Sequence, residues 1–253
     1  MTPESPAYGA DRSLRGKLRR RLVRLAARRP ARLTLERPMV SFTFDDAPVS
    51  ATQAGAQALE AHGLRGTYYV AVGLAGQKGP AGRYASAQEM MAAEAKGHEL
   101  ACHTFSHLDC GEADARTIGA DVDLNVAALS QWGARPATNF AYPYGDVSLD
   151  AKRALGGRFD VLRALHPGMI RTGVDLNQAP AVGIEGLDGQ TAALRWLQRT
   201  AATKGWLLLY THDVVEQPSR WGCTPAALQA VIAAALALEF DIVTVAEGAK
   251  RLR

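Results

Sequence analysis

The 253-residue chain predicts an α/β fold organised around a parallel sheet or barrel. After residue 38, short segments rich in β-branched and aromatic residues alternate with longer segments of helical composition. The most polar residues follow directly after the predicted strands, where parallel α/β folds place their functional sites. The chain is 47% hydrophobic, with no internal repeat and no low-complexity linker after residue 38, so we expect one large domain with a well-buried core.

The predicted strands are apolar runs bounded by turn-forming or polar residues. The first begins after Pro38 and ends at the acid pair Asp45-Asp46. In chain order, the predicted strands cover residues 39–44, 67–72, 98–102, 138–142, 159–164, 206–211 and 240–245.

The predicted helices between them carry recognisable end signals. Ser86 and Glu89 have capping-box spacing, with Gly97 as the stop, and Thr224 before Pro225 is a second N-cap. The predicted helices cover residues 50–61, 86–96, 113–132, 148–155, 190–204 and 224–238. The Gly-rich stretch 73–82 lacks the Lys-Ser/Thr ending of a phosphate loop, so we interpret it as a surface connection.

The basic charge of the chain is confined to its N-terminus. Residues 1–37 hold eleven Lys/Arg and three acids, a net charge of +8, which leaves −4 for residues 38–253 out of a total of +4. We therefore divide the chain into a basic arm, 1–37, and a catalytic-sized domain, 38–253. Within residues 12–32 of the arm, arginines flank a helical stripe of leucines: Leu14, Leu18, Leu22 and Leu25. This arm is either an amphipathic helix on an anionic membrane surface or a solvated tail whose leucines dock weakly on the domain.

Composition also narrows the partners and the setting. Tyr8 is the only aromatic residue of the arm and the body is acidic, which disfavours nucleic-acid binding. No apolar run of signal-peptide or transmembrane length precedes Pro38. The odd number of cysteines, Cys102, Cys110 and Cys223, favours reduced thiols, so we expect a cytoplasmic protein or one peripheral to the inner face of the membrane.

The acid pair Asp45-Asp46 is the first site candidate. Adjacent buried carboxylates repel one another unless a cation or a hydrogen-bond network stabilises their charge. The alternative is structural, because an Asp pair before Ala47-Pro48 also suits a helix cap or a turn.

Two histidines favour the site interpretation. His103 and His107 are four residues apart, so on a helical turn both imidazoles face the same way and can share one cation. The zinc-protease version of this spacing needs Glu after the first His, and Thr104 occupies that position, which disfavours a protease. Asp46 from the first strand would complete a site of two histidines and one carboxylate.

The neighbouring acid then has a chemical role. Asp45 could take a proton from a metal-activated water, as the general base of a hydrolysis. The leaving group needs an acid, and His212, after strand 206–211, is a candidate. Its structural alternative is an ordinary histidine at a strand end.

Four motifs in order resemble those of polysaccharide deacetylases, the NodB-homology group or carbohydrate esterase family 4. Thr43-Phe44-Asp45-Asp46 matches T-F-D-D, and His103-Thr104-Phe105-Ser106-His107 matches H-[ST]-x-x-H. Residues 140–145 resemble the variant motif F-A-Y-P-Y-G, and residues 209–212 resemble L-x-x-H. The resemblance implies a distorted (β/α) barrel of roughly seven parallel strands and a divalent metal, usually zinc, with cobalt or manganese as substitutes.

The resemblance also implies roles for individual residues. Asp45 would be the base, and His212 the acid; Asp46, His103 and His107 would hold the metal. The backbone N–H of Tyr144 would stabilise the oxyanion, and the methyl of the acetyl group would contact Leu209. Further substrate contacts are expected from Tyr142, Pro143 and Trp221, although Trp221 could equally pin its own loop.

The chain departs from the family pattern in two places. Many members have Arg where this chain has Ala141, and Arg163 is either its replacement beside Asp45 or a surface or core-edge residue. The fourth motif, Asp followed by Trp, is not recognisable between residues 160 and 190, where Asp175 or Glu185 could pair with His212 and keep it protonated.

The leading hypothesis is a metal-dependent hydrolase that removes N-acetyl, less often O-acetyl, groups from a sugar, a polysaccharide or a lipid-linked saccharide. The first alternative is an amidohydrolase acting on a small non-sugar amide. The second, suggested by Ala141, is a catalytically silent sugar-binding protein.

Overall fold

A computed structural model describes residues 23–252, which form a curled parallel sheet surrounded by helices. The strands are β1 Met39–Asp45, β2 Thr67–Val70, β3 Lys78–Gly79, β4 Gly82–Arg83, β5 Glu99–Cys102, β6 Asn139–Ala141, β7 Val161–Arg163, β8 Val182–Gly183, β9 Trp206–Thr211 and β10 Asp241–Ile242. The α-helices are α1 Ala56–Glu60, α2 Ala87–Ala95, α3 Ala115–Gln131, α4 Leu149–Leu155, α5 Gly189–Thr203, α6 Pro225–Ala237 and α7 Val245–Ala249.

The main sheet has the order β7-β6-β5-β2-β1-β9-β8, with parallel pairing throughout and β10 beside the start of β1. Residues 179–184, which contain the outer strand β8, connect the other outer strand, β7, to β9. The Ala179 N–H donates to the Leu162 carbonyl of β7 (2.8 Å), and the Ile184 N–H donates to the Tyr210 carbonyl of β9 (2.7 Å). The predicted fold, a distorted barrel of about seven parallel strands, is confirmed.

Strand β1 lies near the middle of the sheet and is buried along its whole length. Alternate side chains point to opposite faces, so Phe42 and Phe44 pack with α5 and α6 residues in the outer core, whereas Thr43 and Asp45 face the barrel interior. The strand ends at Asp45, which places the acid pair at the carboxyl end of the barrel.

Most helix ends follow their sequence signals. Ser86 and Glu89 form the predicted capping box, and Thr224 accepts a hydrogen bond from the Ala227 N–H. The predicted helix 50–61 starts with a π-helical turn, Ala51–Gly55, and the stretch 73–82 contributes to the hairpin β3–β4. The predicted strand 240–245 is shortened to β10, because a capping box formed by Thr244 and Glu247 starts α7 there.

The described part of the predicted arm, residues 23–37, packs against the rest of the domain. Val23 and Ala31 are buried in the core, and the buried Lys152 ammonium donates to the Val23 carbonyl (2.6 Å) and pairs with Asp175 (2.6 Å). Residues 23–37 therefore belong to the folded domain. Leu25, in contrast, is 75% exposed, and Leu14, Leu18 and Leu22 lie outside the described residues.

Within residues 23–252, no helix combines the length and the apolar character that a bilayer crossing requires.

Candidate active site

The carboxyl ends of five strands of the main sheet bring the predicted site residues together. These residues are Asp45 at the end of β1 and Asp46 after it, His103 and His107 after β5, Tyr144 after β6, Arg163 at the end of β7, and His212 after β9. Glu185, two residues after β8, joins them.

Asp46, His103 and His107 form a cluster with the donor set of a metal site. The Asp46 Oδ1 lies 3.2 Å from the His107 Nε2 and 3.6 Å from the His103 Nε2. The His103 Nδ1 lies 2.8 Å from the Ala141 carbonyl. Because a carbonyl only accepts, Nδ1 carries the hydrogen and Nε2 keeps its lone pair for a cation. Each of the three residues offers a ligand atom within 4.8 Å of the others.

The electrostatics of this cluster also fit a divalent cation. Burial raises the pKa of Asp46 to about 6 and lowers the pKa of His103 to about 3 and of His107 to about 4. The imidazoles are therefore neutral, which is the form that binds metal. The Asp46 Oδ1 is buried without a hydrogen-bond partner among the described residues. A buried carboxylate oxygen in that state is strongly disfavoured unless a positive charge faces it.

The histidine loop differs from the predicted helical turn. Residues 103–107 are not helical, and Thr104 and His107 have left-handed backbone angles, with φ of 59° and 57°. The loop is held from α3, where the Asp121 carboxylate accepts from the N–H groups of Phe105 (2.7 Å) and Ser106 (3.1 Å). The loop and its clamp, rather than helical periodicity, thus bring the two imidazoles together.

Left-handed non-glycine residues concentrate in the site loops. Of eight such residues in the described part of the chain, five lie there: Asp46, Ala47, Thr104, His107 and Tyr144. This conformation is costly for residues with a Cβ and is most common at functional sites.

Asp45 is held by a fully buried arginine. The Arg163 Nη2 donates to both carboxylate oxygens of Asp45, at 2.6 and 2.7 Å. Burial alone would raise the pKa of Asp45, but the Arg163 charge, with help from His212 and His103, brings it below the usual value. Arg163 is paired in register with Ala141 on β6, so the guanidinium reaches Asp45 from one strand beyond the usual position of the family arginine.

His212 lies beside Trp221 and Glu185. Its backbone N–H donates to the Trp221 carbonyl (3.1 Å). Its Nδ1 lies 3.2 Å from the same carbonyl and 4.0 Å from the Glu185 Oε2. Asp175 does not pair with His212 among the described residues, because Lys152 engages its carboxylate. Glu185 is therefore the acidic residue next to His212, and the expectation for Asp175 is wrong.

Two expected substrate contacts, Leu209 and Tyr142, lie on the outer side of the sheet. Leu209 packs in the outer core with residues of α5 and α6, whereas its neighbour Tyr210 reaches Arg163 in the interior. Tyr142 is buried outside the barrel, where its hydroxyl donates to the Asn177 carbonyl (2.9 Å).

The remaining predicted contacts surround the cluster. Pro143 begins a 3₁₀ turn, Pro143–Gly145, in which Tyr144 has a φ of 58°, and the Tyr144 ring packs edge-on against His107 with centroids 4.6 Å apart. The Trp221 ring centroid is 6.4 Å from that of His212.

Sequence reasoning missed the α3 residues that support the loops. Besides Asp121, the buried Asn125 donates to the Val70 carbonyl (2.9 Å) and accepts from the Val72 N–H (2.9 Å). The available signal was a polar residue on the apolar face formed by Ile118, Val122 and Leu129.

Comparison with known proteins agrees with this geometry. The family model described as polysaccharide deacetylase matches residues 32–157. The chain belongs to the polysaccharide deacetylase family.

A curated relative aligns with part of the chain. A chitin deacetylase of Pestalotiopsis is 31% identical over 118 residues, which are 46% of this chain and 38% of that protein. The chain thus spans about two fifths of the length of this relative.

Two solved structures share the fold with this family member. The chitin deacetylase of Colletotrichum lindemuthianum aligns with a TM-score of 0.61 at 17% identity, covering 85% of this chain and 89% of that one. A family 4 acetyl xylan esterase from Clostridium thermocellum, solved with a cobalt ion, aligns with a TM-score of 0.54 at 20% identity, covering 83% and 89%.

Proposed function

We propose that this deacetylase-family protein is a metal-dependent hydrolase that removes N-acetyl groups, and less readily O-acetyl groups, from a saccharide. The observation that carries the proposal is the Asp46–His103–His107 cluster beside a carboxylate, Asp45, that Arg163 fixes with two hydrogen bonds. The acetylated-sugar substrate is inferred from the similar proteins, two chitin deacetylases and an acetyl xylan esterase.

Asp46, His103 and His107 would hold the cation, with zinc as the first expectation and cobalt or manganese as substitutes. When bound, such a cation supplies a Lewis acid that polarises a carbonyl oxygen and makes a nearby water more acidic. The protein would contribute a preorganised donor set that is buried and whose two imidazoles are neutral.

Asp45 would be the general base. The pairing with Arg163 keeps its carboxylate ionised and fixes its direction, so that an oxygen can accept the proton of the attacking water. Arg163 is proposed as a positioning residue, because breaking this pairing would leave Asp45 free to rotate. The presence of Arg163 also disfavours the alternative that Ala141 suggested, a catalytically silent sugar-binding protein.

His212 would protonate the leaving nitrogen as the C–N bond breaks, giving acetate and a free amine. Glu185, whose Oε2 lies 4.0 Å from the His212 Nδ1, would be the acidic neighbour of this histidine. The backbone N–H of Tyr144, beside His107, would stabilise the oxyanion of the tetrahedral intermediate. Trp221 and Pro143 remain proposed substrate contacts.

The decisive test is acetate release from N-acetylglucosamine oligomers by chelated and metal-restored protein. We expect the chelated protein to be inactive and Zn²⁺, Co²⁺ or Mn²⁺ to restore turnover. Asp45→Asn should lower kcat at least about a hundredfold with metal binding intact, whereas Asp46→Asn should lose both. The matched control is Asp123→Asn, an exposed carboxylate of α3 that pairs with Arg158 and should leave both unchanged.

Undiminished turnover after complete metal removal would contradict the metal proposal. If no glycan yields acetate but small amides are hydrolysed by the same metal-loaded protein, the amidohydrolase alternative replaces the sugar substrate.

We further propose that the arm binds an anionic membrane surface. Six Lys/Arg precede Val23, and the adjoining Leu25 is 75% exposed. Residues 23–37 are part of the domain, so the test is deletion of residues 1–22 only. On vesicles of phosphatidylglycerol and phosphatidylcholine, this deletion should weaken binding at least about tenfold without changing turnover of a soluble substrate. Equal binding of both proteins to these vesicles would remove the membrane proposal.

A further inference from the structure

Two tyrosines contact Arg163 in the barrel interior, and they lie on β2 and β9, the two strands that flank β1. The guanidinium carbon lies 5.0 Å from the ring centroid of Tyr69 on β2 and 5.3 Å from that of Tyr210 on β9. Such contacts attract a cation to an aromatic face, most strongly where water is absent. The two rings therefore make similar cation–π contacts with Arg163.

Their hydroxyl groups are not equivalent. The Tyr210 hydroxyl donates to the Glu185 Oε1 at 2.9 Å. In the described part of the chain, the Tyr69 hydroxyl is buried and has no hydrogen-bond partner. Tyr210 therefore contacts Arg163 through its ring and Glu185 through its hydroxyl, whereas Tyr69 contacts Arg163 and His103 through its ring.

The bond to Tyr210 determines where the other Glu185 oxygen lies. With Oε1 held, Oε2 is buried without a hydrogen-bond partner among residues 23–252 and lies 4.0 Å from the His212 Nδ1. The charged or titratable groups that surround Glu185 are Tyr210 and His212 from β9 and its loop, Asp45 from β1 and Arg163 from β7. Of these, His212 and Arg163 can donate hydrogen bonds, and the His212 Nδ1, which is 3.2 Å from the Trp221 carbonyl, faces Oε2 at 4.0 Å.

We infer that Tyr210 is a positioning residue that links the support of the base to the support of the acid. Its ring holds Arg163, which orients Asp45, and its hydroxyl holds Glu185, which faces the Nδ1 of His212. A single rigid side chain on β9 thereby sets the relative geometry of the two groups that transfer protons on opposite sides of the scissile bond. This inference rests on the proposed deacetylase function and adds a residue to it that the family motifs do not include.

The test uses Tyr210→Phe with Tyr68→Phe as its matched control, in the 253-residue, metal-loaded protein. Each variant keeps its ring and removes one hydroxyl that donates a hydrogen bond. The Tyr210 hydroxyl donates to Glu185, and the Tyr68 hydroxyl, in the outer core, donates to the Ala51 carbonyl (3.0 Å). We expect Tyr210→Phe to lower kcat about tenfold with KM nearly unchanged, the effect of losing one hydrogen bond to a carboxylate. Tyr68→Phe should change kcat by no more than about twofold.

A double-mutant cycle with Glu185→Gln isolates the linkage. If Tyr210 acts through Glu185, Tyr210→Phe should add little to the loss already caused by Glu185→Gln. Equal effects of the two Tyr→Phe variants, or additive losses in the double variant, would overturn the inference.

The same cycle measured by urea unfolding separates this inference from the proposed function. Absence of acetate release by the wild type would contradict the function, whereas coupling between positions 210 and 185 in unfolding would still show that Tyr210 holds Glu185. Acetate release by the wild type with no coupling in either measurement would contradict the inference alone.

Discussion

Glu99 at the amino end of the barrel and Asp46 at the carboxyl end differ in how their buried carboxylate oxygens are hydrogen-bonded. At the amino end, Glu99 on β5 accepts from Asn139 (2.7 Å) at one oxygen, and from the Thr67 hydroxyl (2.7 Å) and the Ala246 N–H (2.8 Å) at the other. At the carboxyl end, the Asp46 Oδ1 has no hydrogen-bond partner among the described residues. A satisfied buried carboxylate joins elements together, whereas an unsatisfied one marks a place where a ligand is needed.

The surroundings of the two carboxylates differ in the same sense. Glu99 is closed off by the first turn of α7, whose own start is fixed by the Thr244–Glu247 capping box. Asp46 lies in a left-handed backbone conformation beside loops that contain four more such residues. The amino end is thus satisfied in its hydrogen bonds, and the carboxyl end keeps energetically costly features that are typical of functional sites.

The strongest test of this difference is to break the buried pair at the carboxyl end. Arg163→Met leaves the buried Asp45 charge uncompensated, which should lower the free energy of unfolding by about 3–5 kcal/mol and reduce acetate release at least about a hundredfold. The double variant Asp45→Asn/Arg163→Met should recover most of the stability in urea unfolding, but none of the activity. Recovery of activity would show that Asp45 is not the base.

A smaller effect should appear in the pH dependence of stability. Burial raises the pKa of Glu185 to about 7, despite the Tyr210 hydrogen bond. A carboxyl whose folded pKa exceeds its unfolded value, about 4.3, contributes stability that is full below that value and is lost as the pH rises through about 7. Between pH 5 and pH 8, wild type should therefore lose about 2 kcal/mol more than Glu185→Gln, measured by urea unfolding at both pH values. A parallel pH dependence of the two proteins would contradict this.

The smallest expected effect is at the amino end. Glu99→Gln replaces one acceptor by a donor among groups that already donate, so the free energy of unfolding should fall by about 1–2 kcal/mol. The kcat/KM for acetate release should stay within about twofold of wild type. If Glu99→Gln loses most of its activity but keeps normal stability, Glu99 at the amino end would also serve function rather than stability.

Much of the fold and of the site was predictable from the sequence. Strand alternation, the caps at Ser86 and Thr224, and the strand-end positions of Asp45, His103 and His212 are local patterns, and local patterns survive into the structure. The errors fall where a neighbour distant in sequence decides the outcome. The Val23 carbonyl accepts a hydrogen bond from Lys152, which is 129 residues away in the chain. Helix α7 replaces part of the last predicted strand.

The sequence by itself determined the parallel α/β barrel, the family, and the order of the motifs at the carboxyl ends of the strands. Only the tertiary structure decided that Arg163 reaches Asp45, that Glu185 rather than Asp175 stands by His212, and that Tyr210 instead of Leu209 faces the interior. The reason is physical: composition and spacing fix which residues leave a strand at its end, but the register between strands fixes which of them meet. Arg163 and Asp45 are 118 residues apart in the chain, and only the pairing of β6 with β7 brings the guanidinium to the position that Ala141 leaves open.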